Sequence, residues 1–500
     1  MTSKIASLSS TIWQVWAEPL LESLGLYESA DRSYGRWNVP FSAMEKRLYE
    51  KEDVEVTFHE VMLQNGKDWV WYQVWQDSQA TRDTGRSADM IFVHGTGVHS
   101  GTLASQCRRY LDAGFRLIVP DLPSHGFSSG LHVYQKNMAG FCSGLNAVLH
   151  DVAARDQAES AFPGVRPSKL ERRQTFMLGL SFGGLVAFSY ALQYPASYRY
   201  DTSDTEEVPI DGLVGIGAMV AYNTRFVVVG TLLRWLFTVM LFIFRLGRLE
   251  VIVPHKKAVD KDPKVYESLI MQDPRSHQGS FRIGHLHCIV TAMQDLRDRA
   301  EEIRHPIYIQ MGGEDRVANN EVALQWIRRT KGEDKRYEVS PICQHVLYKK
   351  AKNQHDDLAG RISVIADNVE WMVERSPPTY TGRVVQRRQL RLASYSSEGS
   401  TTSRSTSRTS LFDDEEEGDD SASAATTVPT TPSLADQEAF MQDKLEGFSG
   451  EGHLLPEHLC GWREDGEGEK RLYRMTWNFR EDTRPFIYDA HAALSPISAS

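Results

Sequence analysis

A serine set among glycines, Gly179-Leu180-Ser181-Phe182-Gly183-Gly184, constrains this chain more than any other feature. The apolar run 175–178 before it reads as a strand, and 185–193 after it as a helix. A strand that turns at once into a helix must bend sharply. The positions two before and two after the serine then have to be small, and both are glycine. Such a turn holds the Ser181 hydroxyl out at the sheet edge, in the positive potential of a helix N-terminus. A glycine-rich turn with a capping serine would look the same in isolation, so the surroundings have to decide.

Those surroundings alternate strand and helix. Runs 90–93, 116–119, 175–178, 212–216 and 306–310 are short and almost wholly apolar, and each is soon followed by Gly, Pro or Asp. Such strands imply a mostly parallel sheet covered by helices on both faces. Ahead of them, 54–58 and 69–75 flank Asn65-Gly66, a dipeptide that favours a tight hairpin turn. Residues 219–300 break the rhythm and read as a helical cap over the C-terminal edge of the sheet. With 500 residues, the chain is too long for one core. It divides into an N-terminal extension, 1–50, with Trp13, Trp16 and Trp37 as anchors, and a catalytic domain, 51–375. A Ser/Thr-rich, then acidic linker, 376–435, is too polar to order itself. The aromatic-rich terminus, 436–500, either docks on the body or binds a partner.

A serine nucleophile needs a base, and the base needs an orienting carboxylate. Asp315 stands in the loop after the strand 306–310, and His345 stands just past the strand-like 337–339. Glu314 competes with Asp315, and His355 with His345, although His355 lies in a charged helical stretch. The oxyanion of the reaction needs backbone N–H donors. Phe182 follows the nucleophile, and Thr96 lies in the loop His94-Gly95-Thr96-Gly97 directly after the strand 90–93. The order Ser181, Asp315, His345 is the α/β-hydrolase order.

Three stretches carry a closer resemblance: His94-Gly95-Thr96-Gly97-Val98-His99-Ser100-Gly101, Asp121-Leu122-Pro123-Ser124-His125-Gly126-Phe127-Ser128, and His345-Val346-Leu347-Tyr348-Lys349. With the serine motif they resemble the monoacylglycerol lipase group of α/β-hydrolases, also called the serine aminopeptidase-like lysophospholipase group, over residues 88–374. The group usually has His before and Met after the nucleophile, where this chain has Leu180 and Phe182. The resemblance implies an α/β-hydrolase fold with an inserted cap, and a catalytic triad of Ser181, Asp315 and His345. It also implies cleavage of a lipid ester through an acyl-enzyme, without cofactor or metal. Monoacylglycerol is the leading substrate, with a lysophospholipid, another acyl ester or acyl transfer to an alcohol beside it. The reading from another class is a non-catalytic lipid-binding scaffold.

The remaining signals bear on setting. A net charge of −10 gives no footprint for nucleic acid. Five scattered cysteines make no disulfide framework, and with no apolar leader this points to a cytoplasmic protein. Residues 226–244 are nearly all apolar apart from Arg234, and long enough to span a bilayer. Thr231, Arg234, Thr238, Arg245 and Arg248 fall on one helical face, which favours a cap helix lying on a membrane or lipid droplet. Buried cap packing and a true span are the alternatives. His285-Leu286-His287-Cys288 reads as helix surface rather than metal ligands, and Cys343 as a small buried residue rather than a second nucleophile. Arg404-Ser405-Thr406-Ser407-Arg408-Thr409 reads equally as a kinase target or as plain linker.

Overall fold

Among the described residues, the sheet that the apolar runs anticipate begins with eight strands in the order β1-β2-β4-β3-β5-β6-β7-β8, and three C-terminal strands continue it. They are β1 (Glu55–Met62), β2 (Trp69–Gln76), β3 (Ala88–Val93), β4 (Arg116–Pro120), β5 (Gln174–Leu180), β6 (Gly212–Ile216), β7 (Ile307–Gly312) and β8 (Lys335–Ser340). The computed structural model describes residues 13, 17–160, 173–198, 207–220, 232, 235–236, 238–241, 246–250, 260, 264, 272–378, 460–464, 470–479 and 495–496. Strands β3 to β8 run parallel, and β2 is antiparallel to both of its neighbours, β1 and β4. Every residue of β3, β6 and β7 is buried, whereas β1 at the edge is largely exposed. This is the α/β-hydrolase fold, with a cap inserted between β6 and β7.

The pleat of the sheet sorts its side chains into two cores. Ile91, Val93, Ile118, Met177, Leu213 and Ile309 point one way. They meet helices α2 (Met138–Ser160), α3 (Phe182–Gln193), α4 (Ile283–Asp298) and α5 (Asn320–Arg329). Met90, Phe92, Leu117, Phe176, Val214 and Tyr308 point the other way, onto Tyr110, Leu111 and the helix α6 (Ser363–Glu374) with its buried Trp371. The hairpin turn at Asn65-Gly66 is wider than expected. The last ladder pair is Met62 with Trp69, and Leu63 N–H donates to the Asp68 carbonyl at 2.7 Å across a loop in which Gly66 takes φ +63°.

The N-terminal segment is stitched into the body. The helix α1 (Ala43–Tyr49) starts in a capping box between Ser42 and Glu45, and both Glu45 and Leu48 are buried. Arg36, also buried, donates to the carbonyls of Gly126 (2.7 Å), Ser128 (2.6 Å) and Gly130 (2.8 Å). Trp37 stands edge-on to Trp69 and Phe127, and Trp13 to Tyr27. Trp16 lies outside the described residues.

One expectation about the cap is corrected. His285 and Cys288 are not surface residues of their helix. They are buried on the same face of α4 as Ile289, Ala292, Met293 and Leu296. The spacing i, i+3, i+4, i+7 of that stripe is the sequence signal for it. Much of 226–244 lies outside the described residues; positions 232, 235–236 and 238–241 are helical. Among the described residues no helix is long and apolar enough to cross a membrane. The linker beyond residue 378, with the run 404–409, is likewise outside them. Farther on, the backbone of β10 (Lys470–Phe479) pairs antiparallel with β8, Met475 opposite Val339. It also pairs with β9 (Cys460–Glu464) and β11 (Ser495–Pro496).

Candidate active site

Ser181 sits at the sharp turn between β5 and α3 with φ 53° and ψ −114°. That backbone is sparsely populated for any residue with a side chain and costs on the order of 1–3 kcal/mol. Its N–H donates to the Ile216 carbonyl at 2.9 Å, and its carbonyl accepts from Gly184 at 3.0 Å and Met219 at 3.2 Å. The two flanking glycines are required by contact. A Cβ on Gly179 would come within 2.3 Å of the Gly183 carbonyl oxygen, and one on Gly183 within 2.0 Å of the Val93 carbonyl oxygen.

The loops after β7 and β8 deliver the other two side chains. Asp315 has a fully buried side chain. One carboxylate oxygen accepts from the amides of Val317 (2.7 Å) and Ala318 (2.9 Å). The other lies 2.9 Å from His345 Nδ1, and His345 Nε2 lies 2.8 Å from Ser181 Oγ. Hydroxyl, imidazole and carboxylate therefore stand in one hydrogen-bonded line, the geometry that general-base activation of a hydroxyl requires. The competitors stand apart from it. Glu314 is exposed, and the His355 side chain is 56% exposed beside Asp356. Cys343 is buried.

The loop after β3 crosses over the serine: a Cβ on Gly95 would sit 3.7 Å from Ser181 Cβ. His94 at its root is buried, and its Nε2 accepts from the Leu122 amide at 2.9 Å. Nδ1 must then carry the proton and donate to the Gly95 carbonyl at 2.7 Å. Burial pushes its pKa down to about 4, so it stays neutral in this role. Asp121, in the loop after β4, braces both flanks, accepting from the amides of Ser100 (2.8 Å) and Phe127 (2.7 Å). From the cap side, the His277 amide donates to the Gly97 carbonyl at 2.7 Å, and His99 Nε2 donates to Asp273 at 2.7 Å. Burial works against the Asp273 carboxylate. The bonds from His99 and from the Arg275 and Ser276 amides outweigh it and hold that pKa below the usual value. A crevice of about 1190 Å³ between the N-terminal segment and α2 belongs elsewhere. Glu22, Tyr34, Asp68 and Arg248 line it, and Ser181, Asp315 and His345 do not. Among the described residues no cluster of His, Cys, Asp and Glu is arranged to hold a metal.

The family described as serine aminopeptidase, S33, matches residues 85–350. The chain belongs to this family. It is 23% identical over 307 residues to a monoacylglycerol lipase of Mycolicibacterium smegmatis, a match covering 60% of this chain and 92% of that one. A shorter match, 32% identical over 121 residues, covers 24% of this chain and 39% of a pimeloyl-[acyl-carrier protein] methyl ester esterase of Nitrosospira multiformis. Among solved structures, a soluble variant of the monoglyceride lipase of Saccharomyces cerevisiae aligns at 15% identity with a TM-score of 0.49, over 67% of this chain and 98% of that one. The family match makes the chain an α/β hydrolase, and the curated relatives it resembles are a lipase and an esterase.

Proposed function

We propose that the chain is a serine hydrolase of lipid esters, with Ser181 as nucleophile, His345 as base and Asp315 as the group that orients it. The observation that carries this reading is the continuous line from Ser181 Oγ to His345 (2.8 Å) to Asp315 (2.9 Å). As Ser181 Oγ attacks the ester carbonyl, its proton passes to His345 Nε2. The amides of Thr96 and Phe182 take the oxyanion that forms. His345 then returns the proton to the departing alkoxide, which leaves as the alcohol, and an acyl-Ser181 ester remains. Water attacks that ester and gives a proton to His345. Collapse releases the fatty acid and restores the Ser181 hydroxyl. Asp315 keeps the imidazole in the required tautomer and stabilises its charged form.

Monoacylglycerol is the proposed substrate, supported by the mycobacterial relative's activity and by the apolar cap sequence. The proposed setting is the cytoplasmic surface of a membrane or lipid droplet, reached through the cap. Exposed Leu232, Trp235 and Leu236 support it. A fluorophosphonate probe tests the nucleophile. Wild type is expected to label, and Ser181→Ala to lose both label and turnover by several orders of magnitude. His345→Ala should lose turnover while His355→Ala keeps it. Labelling of Ser181→Ala at the full rate would refute the assignment. A panel of monoacylglycerol, lysophospholipid and short-chain esters, read with and without an acceptor alcohol, then fixes the substrate.

A further inference from the structure

We propose that His285 is a positioning residue for the oxyanion loop, holding Thr96 so that its amide stays aimed at the reacting carbonyl. This rests on the reading that the Thr96 and Phe182 amides bind the oxyanion. His285 is fully buried in the first turn of α4. Its Nε2 lies 3.0 Å from Thr96 Oγ1, a residue that comes long before it in the chain. Its ring stands edge-on to Phe182, with centroids 4.9 Å apart. One cap side chain therefore touches both residues assigned as donors. Phe141 at 6.0 Å and Phe281 at 5.8 Å enclose the same ring, so its position is set by packing.

The loop gains from a hold on the Thr96 side chain as well as on its peptide. Thr96 lies between Gly95 and Gly97, and Gly97 takes φ +75°. A backbone with glycine on both sides of its donor does not by itself fix the direction of one amide. Threonine is branched at Cβ and stiff at χ1, so a bond that pins its hydroxyl also pins its backbone. His94, through its bond to the Gly95 carbonyl, holds the peptide that carries the Thr96 amide from one side. The His277 amide on the Gly97 carbonyl and the Asp273–His99 pair fix the far side, and His285 adds the hold on the Thr96 side chain between them. A donor aimed before the reaction costs no reorganisation during it, so the benefit appears in the transition state rather than in substrate binding.

The experiment compares His285→Phe, His285→Gln, Thr96→Val and the double variant His285→Phe/Thr96→Val with wild type on a soluble short-chain ester. Phenylalanine keeps a buried aromatic ring but loses the bond. Valine keeps the β-branch and the Thr96 amide but loses the hydroxyl. His285→Phe and Thr96→Val are each expected to lower kcat by roughly 10- to 100-fold with KM little changed. Affinity for a trifluoromethyl ketone transition-state analogue should fall by a similar factor. The double variant should be no worse than either single one, and His285→Gln should recover most of kcat. Wild-type kcat in Thr96→Val, or losses that multiply in the double variant, would overturn the proposal even if His285→Phe folds poorly. Ser181→Ala is run alongside. If it keeps turnover, the underlying assignment fails; if it is inactive while the His285 and Thr96 variants turn over normally, only this inference fails.

Discussion

Glu45 and Arg275 form an ion pair in which both side chains are wholly withdrawn from water. Glu45 comes from the N-terminal segment and Arg275 from the chain returning out of the cap. The guanidinium also lies over the Phe127 ring at 4.5 Å and the Phe41 ring at 5.5 Å. Two residues before Arg275, Asp273 grips His99 in the loop after β3. The N-terminal segment is thus linked through the cap return to the loop over Ser181.

Glu45→Ala should be strongly destabilising, because it strands a buried guanidinium. Breaking one side of a buried pair costs about 3–5 kcal/mol, while replacing both partners with apolar groups of similar size can be near neutral. Urea unfolding is expected to show that loss for Glu45→Ala and most of the stability back in Glu45→Leu/Arg275→Met. A loss below about 1 kcal/mol for Glu45→Ala would mean that water reaches the pair.

Acid should destabilise the fold well above the carboxylate range. Burial lowers both His94 and His305 from 6.5 to about 4. A histidine with a depressed folded pKa binds its proton more readily when unfolded. Stability is therefore full above pH 6.5 and is lost as pH falls toward 4. Each group contributes up to about 3 kcal/mol over that window. The urea midpoint should drop steadily from pH 7 to pH 4.5, and His305→Gln should flatten part of the slope. A midpoint unchanged down to pH 5 would contradict the buried neutral state.

The hydrogen-bonded line of Ser181, His345 and Asp315 was legible as a candidate site because each member has a local cause. Gly179 and Gly183 flank Ser181 since backbone passes within 2.3 Å of where their side chains would be, and Asp315 and His345 follow strands whose apolar runs are plain. Contacts between distant segments left no such mark. Nothing near Glu45 announces a partner at Arg275, and nothing near Thr96 points to His285. The burial of His285 and Cys288 was readable from the stripe they share with Ile289, Ala292, Met293 and Leu296, but reading the His-Leu-His-Cys tetrad in isolation concealed that period. The width of the turn at Asn65-Gly66 was not legible either. The Asn65 side chain accepts from the amides of Lys67 (3.0 Å) and Asp68 (2.9 Å), which builds a larger loop than the dipeptide alone implies.

Truncation after residue 378 separates chemistry from support. Ser181, Asp315 and His345 all precede the cut, and β8 keeps its parallel partner β7. What is lost is the antiparallel strand β10 along the other side of β8. Turnover of a soluble ester should persist, with the melting temperature lower by about 1–2 °C, the shift that roughly 1 kcal/mol produces in a domain of this size. A folded truncated protein without turnover would show that the C-terminal strand shapes the His345 loop.

The cap surface tests the proposed lipid contact. Leu232 and Trp235 are 63% and 64% exposed, and Leu236 is 39% exposed. Their spacing i, i+3, i+4 places them on one helical face. Thr238 lies 3.2 Å from His287 Nε2, which ties this helix back to α4. Moving a large apolar side chain out of water is worth roughly 1.5–3 kcal/mol, so two or three inserted together would hold the enzyme at a lipid surface. Trp235→Ser/Leu236→Ser should weaken liposome binding and slow hydrolysis of a membrane-borne ester. On a soluble short-chain ester the same variant should work almost normally, because these side chains are exposed and are not members of the line from Ser181 through His345 to Asp315. Equal loss on both substrates would assign the patch to cap packing or to the acyl site instead.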